Sequence, residues 1–181
     1  MKKIFIATVV LLFAFMLSAV EKKVNFVWKD TGRSFSDFRT YSFGFREKGD
    51  EYCFAFQIKN LKQLMEDKDS MLVCCMDTDN NEKTGRTGNK KGWDLQFNIL
   101  LNRHSVSIIV WEENKIQTSH TLSEGEFAME AEDDILYLTI KKSVYLKKIR
   151  FGKSITLFEE HTYRKKAVTS GLEEGKKVDL R

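Results

Sequence analysis

Beyond residue 20, apolar side chains recur at every second position, a period that fits β-strands and leaves no room for long amphipathic helices. Tyr41, Phe43 and Phe45 alternate with Ser42, Gly44 and Arg46. After Lys48-Gly49-Asp50 the alternation resumes with Tyr52, Phe54, Phe56 and Ile58. Two such runs joined by a Gly-Asp turn predict a β-hairpin with arms at 41–46 and 52–58. Val24, Phe26 and Trp28 alternate before it. Residues 71–76 are continuously apolar, as a central strand requires, and Leu95, Phe97, Ile99 and Leu101 alternate. Val106, Ile108 and Val110 follow an Asn102-Arg103-His104 turn. Further strands are expected at 115–121, 127–131 and 135–140, and around Ile155 and Leu157. Leu61, Leu64 and Met65 allow a short helix, 143–148 one helical turn, and the charged, Gly-punctuated residues 162–181 are expected to be irregular. About nine strands, each apolar on one face, predict an all-β fold: a two-sheet antiparallel sandwich, with a barrel as the alternative. The chain contains no proline, so its turns fall to Gly, Asn, Asp and Ser.

The first 20 residues differ in kind. Met1-Lys2-Lys3 is a basic start, residues 4–17 are apolar except for Thr8, and Ser18-Ala19-Val20 precede the charge that begins at Glu21. That order is the order of a secretory signal, either cleaved or kept as an uncleaved anchor. Residues 21–181 are then one domain in a secreted or periplasmic setting, with the membrane touched only through an uncleaved N-terminal segment. Removal of residues 1–19 takes Lys2 and Lys3 and lowers the net charge from +4 to +2. Such a weak surplus argues against nucleic acid as a partner. An apolar share of 42% and a charged share of 31% exclude wholesale disorder.

Three cysteines, Cys53, Cys74 and Cys75, cannot all pair within the chain. Cys74 and Cys75 point to opposite faces of one strand. Cys53 either meets one of them or all three are buried thiols.

The segment that carries chemistry is Met76-Asp77-Thr78-Asp79-Asn80-Asn81-Glu82-Lys83-Thr84-Gly85-Arg86, followed by Gly92-Trp93-Asp94. Asp77, Asp79 and Asn81 stand at alternate positions, and in a curling loop their hard oxygens converge. Calcium takes six to eight oxygen ligands, and the first half of an EF-hand loop uses this spacing. The EF-hand itself is excluded, because Glu82 occupies the position of its glycine and no flanking helices are expected. Two readings stand: a calcium loop of another build with Asp94 as a later ligand, and a metal-free turn in which Asp and Asn bond their own backbone.

The run D-T-D-N-N-x-x-T-G-R with a following G-x-D, set between two strands, resembles a motif of DOMON-like β-sandwiches related to family 9 carbohydrate-binding modules. The likeness is strongest over residues 70–101 and extends loosely over 21–181. Members of that family commonly have Pro where Glu82 stands and a small residue where Trp93 stands. The resemblance implies a jelly-roll-like sandwich outside the cytoplasm, a binding role rather than catalysis, and metal ligation at Asp77, Asp79, Asn81 and Asp94.

A tryptophan exposed beside acids or amides stacks on a sugar ring, whereas a buried one packs the core. Trp93 next to Asp94, Arg86 near it, and Trp111 before Glu112-Glu113-Asn114 are the candidate carbohydrate contacts, with Trp28 weighed beside them. No catalytic residue is expected. His104, His120 and His161 share no metal spacing, and no G-x-S-x-G motif occurs. Among acids, Glu159-Glu160-His161 is the place where a hydrolase would be sought. Some DOMON relatives bind haem through Met and His, which would single out Met76 with His104 or His161.

Overall fold

A computed structural model describes residues 26–31, 40–86, 92–142, 146, 149–163, 166–170 and 175–180. The expected signal at 1–20 and most of the expected helical turn at 143–148 lie outside the described residues. Among the described residues there are twelve strands: β1 (Val27–Asp30), β2 (Thr40–Lys48), β3 (Glu51–Ile58), β4 (Met71–Asp77), β5 (Leu95–Leu100), β6 (Ser105–Glu112), β7 (Lys115–Thr121), β8 (Phe127–Glu132), β9 (Ile135–Lys141), β10 (Ser154–Tyr163), β11 (Lys166–Ser170) and β12 (Lys176–Asp179). A short helix, α1 (Leu61–Glu66), stands between β3 and β4. Among the described residues no helix is long and apolar enough to cross a membrane.

The strands form two antiparallel sheets. One runs β1-β2-β3-β9-β8; the other runs β11-β10-β4-β5-β6-β7, with β12 also on β10. The two sheets face each other across one core, so the sandwich holds and the barrel does not. The antiparallel pair β3/β9 passes into the antiparallel pair β4/β10 of the opposite sheet, which is the wrapped step of a jelly roll. The β2–β3 hairpin turns at Gly49-Asp50, with Gly49 at φ 57°, where a non-glycine residue is strained.

Alternation decides what the sandwich buries. Phe43, Phe54, Phe56, Leu136, Leu138 and Ile140 point inward from the first sheet; Leu72, Met76, Leu95, Phe97, Ile99 and Ile108 meet them from the second. Phe54 is wholly buried, and its ring lies 5.1 Å from Phe97 across the sandwich and 5.4 Å from Phe45 beside it. Both outer faces carry smaller clusters, Phe26, Cys53, Ala55, Ile135 and Tyr137 on one and Val73, Cys75, Trp93 and Phe158 on the other.

One expectation needs correction. Twelve strands lie among the described residues where the sequence suggests about nine, and the fold class stands, but within 162–181 the described residues are largely paired: β11 and β12 both pair with β10, the first along Glu160–Tyr163 and the second along Ser154–Leu157. Backbone pairing stabilises these short polar strands without an alternating pattern to reveal them. The cysteines are three buried thiols. Cys74 faces the core, while Cys53 and Cys75 belong to clusters on opposite outer faces, so Cys53 meets neither partner.

Candidate metal centre and adjoining groove

At the end of β4 the chain leaves the core through Asp77 and returns to β5 through Asp94. One carboxylate oxygen from each of Asp77, Asp79 and Asp94 lies within 4.8 Å of the others. Asp77 and Asp94 are buried, at 3% and 7% exposure, and Asp79 is exposed.

The loop is shaped by its own short polar side chains. The Asn81 N–H donates to Asp77 Oδ1 at 3.0 Å and to Asp79 Oδ1 at 2.9 Å. Thr84 Oγ1 donates to Asp79 Oδ1 at 3.1 Å. Asp94 Oδ2 accepts both the N–H and the hydroxyl of Thr78, each at 2.8 Å. Asn80, at φ 56°, ties the loop to β10: its Nδ2 donates to Ser154 Oγ and its Oδ1 accepts from Thr156 Oγ1. Gly85 is at φ 56°, and a Cβ there would lie 2.3 Å from Trp93 O and 2.7 Å from Asp94 Oδ1. Only glycine lets the loop close so tightly on Asp94.

Burial pushes the Asp77 carboxyl up to about 7, and the neighbouring carboxylates of Asp94 and Asp79 push the same way. Burial also raises Asp94, against the two hydrogen bonds from Thr78. Hydrogen bonds from neutral donors thus stabilise these carboxylates only in part. Three hard oxygen ligands, two of them costly to leave charged, suit an oxygen-seeking divalent cation.

The structure brings together Asp77, Asp79 and Asp94. Asn81 contributes differently: its backbone N–H faces the carboxylates, while its exposed Oδ1 accepts from Lys83 N–H at 3.1 Å. The expectation of an open aromatic platform at Trp93 is corrected. Trp93 is 7% exposed and packs against Val73, Cys75 and Phe158, because its flank of the loop lies back on the outer face of the sheet. Arg86 pairs with it through Arg86 N–H to Trp93 O at 2.7 Å. The Arg86 guanidinium carbon stands 5.1 Å from the Trp93 ring centroid and 5.0 Å from that of Trp111.

Trp111 does reach an opening. A groove of about 610 Å³ runs beside the acidic loop, lined by Asp79, Asp94, Trp111, Glu112, Glu113 and Arg150 among others. Glu112, Glu113 and Arg150 were not expected to act together. The first two follow the candidate Trp111 in sequence, but Arg150 is brought over from a distant segment and leaves no local signal. Arg86 and Trp93 do not line the groove.

The other candidates lie elsewhere. Glu159 and His161 are wholly buried on the inward face of β10, with His161 Nε2 3.7 Å from Glu159 Oε2 and Glu159 Oε1 accepting the Thr40 N–H of the opposite sheet. They tie the sheets together beneath the surface and offer no opening for a hydrolase. Met76 and His161, opposite Leu157 and Leu72 in the β4/β10 pair, are both wholly buried among packed side chains, and neither lines the groove. His104 is exposed in the turn between β5 and β6.

No protein-family model matches this chain, and no curated protein or solved structure matches it either.

Proposed function

We propose that this chain is an exported, non-catalytic binding domain of the DOMON-like type. It holds one calcium ion at Asp77, Asp79 and Asp94 and takes a carbohydrate, such as a cell-surface glycan, in the groove alongside. The observation that carries the reading is that Asp79 and Asp94 belong both to the carboxylate cluster and to the groove wall. A cation held there neutralises that wall and orders the loop, so that Trp111 and the polar groups around it meet a sugar in fixed positions. Calcium suits the cluster because it accepts oxygen ligands alone and tolerates irregular geometry; backbone carbonyls and water complete its shell. Export rests on the order of residues 1–20.

A second reading, a structural or protein-interaction domain of the envelope, has one observation in its favour. Strand β7 is a sheet edge, and its Ile116 is 53% exposed.

Affinity electrophoresis through polysaccharide gels, with calcium and with chelator, tests the first reading. Retardation in calcium is expected, weakened about tenfold or more in affinity by Trp111→Ala. Migration unchanged by every polysaccharide, with or without calcium, would leave the interaction reading in its place.

A further inference from the structure

The groove that the proposed function assigns to a glycan has an aromatic wall that it does not support by itself. Trp111 is only half-buried, and it follows a register shift between Val110 and Trp111 in the β6/β7 pairing. Its indole Nε1 is out of contact with solvent and makes no hydrogen bond. Nothing polar therefore fixes the rotation of the ring.

Arg86 supplies what is missing. Its guanidinium stands over two indoles at once, Trp93 at 5.1 Å and Trp111 at 5.0 Å. Trp93 is fixed from behind by the outer cluster of its sheet, with the Phe158 ring 5.7 Å away. The backbone around Arg86 is fixed too: Arg86 N–H donates to Trp93 O at 2.7 Å, and Asn114 N–H donates to Gly85 O at 2.7 Å. The Trp111 backbone N–H donates to the Asp94 backbone carbonyl at 2.9 Å, which links this wall to a residue of the carboxylate cluster.

We infer that Arg86 is a positioning residue rather than a ligand contact. It holds Trp111 against the rigid Trp93 and so sets the aromatic wall at a fixed distance from Asp79 and Asp94. The inference rests on the groove being the binding site, and it gives the acidic loop a mechanical route to the sugar: an ion held by Asp77, Asp79 and Asp94 also steadies the ring that stacks on the ligand. A guanidinium suits this post better than an ammonium, since it is planar, weakly hydrated and stacks on both faces. The charge it carries stays out of the groove, so the ligand is read through the ring and the carboxylates.

The test separates this inference from the reading on which it rests, because its main measurement needs no ligand. In the full chain, the Trp111 indole N–H is assigned by its disappearance in Trp111→Phe, and its hydrogen exchange is followed by NMR. Arg86→Met, which keeps the length of the side chain and removes the charge, is expected to speed that exchange about tenfold, the loss of two cation–π contacts, while the Cys75 amide at the centre of β4 stays unchanged. Arg86→Lys should restore part of the protection. Glycan affinity should fall in Arg86→Met while calcium affinity holds within about twofold, the margin for a residue that ligates neither. Equal Trp111 exchange in wild type and Arg86→Met overturns the inference even if glycans bind. If Arg86→Met does not fold, Arg86→Gln takes its place: Trp111 exchange equal to wild type overturns the inference, and faster exchange upholds it. Ordinary slowing by Arg86 with no glycan bound by any form leaves the brace standing and removes only the proposed ligand.

Discussion

Asp77 carries a carboxylate where carboxylates are costly, 3% exposed and beside two others. Its proton is held up to about 7 by burial first and by Asp94 and Asp79 next, whereas an unfolded chain releases it near 3.8. Between those values the folded state binds more protons than the unfolded one, so the metal-free protein must lose stability as pH rises from 3.8 through about 7. Urea melts in chelator at pH 5 and pH 8 measure this. Asp77→Asn removes the titration and should make the metal-free protein at pH 8 more stable than wild type by about 1 kcal/mol or more. Equal wild-type stability at the two pH values would contradict the account. The spacing of Asp77 and Asp79 made this pair legible in the sequence, and Asp94 was legible because the returning strand begins beside it. The work of Asn80, which pins the loop to Ser154 and Thr156 on β10, was not: those partners lie more than 70 residues away and exist only once the sheet has formed.

Among the elements, β2, β3, β5 and β9 were readable because each must bury one face, and burial writes itself as alternation. The helix α1 was readable from Leu61 and Leu64, both buried beneath it. Strands β11 and β12 were not, since each is held by backbone bonds to β10; in β12 only Val178 turns inward, at 2% exposure. The wall at Trp93 was misread for a related reason. Whether a tryptophan next to an acid faces solvent depends on the path of the loop, and local sequence does not set that path. The core makes a sharper prediction. Phe54 meets aromatic rings from β2, its own strand, β5 and Phe151, so truncation leaves a cavity that neighbouring aromatics fill poorly. Phe54→Ala should cost about 3–5 kcal/mol in chemical denaturation, with no change in calcium affinity if the chain still folds. A loss below about 1 kcal/mol would mean that the two sheets do not pack through that ring.

For the whole molecule, the sandwich places the acidic loop and the groove on one rim, where β4 leaves the core and β5 and β6 return, and the same few residues shape the loop, the groove and the aromatic wall. An ion that binds only the folded chain stabilises all of it, by about 2.7 kcal/mol at a hundredfold excess over the dissociation constant. For a domain of this size that is a rise in Tm of roughly 5–10 °C. The decisive measurement is therefore thermal unfolding at pH 8 in chelator and then in saturating calcium, for wild type and for Asp79→Asn. The account predicts a rise of that order in wild type, reversed by renewed chelation and largely absent in Asp79→Asn. A wild-type Tm that ignores calcium, or an equal rise in both proteins, would contradict it.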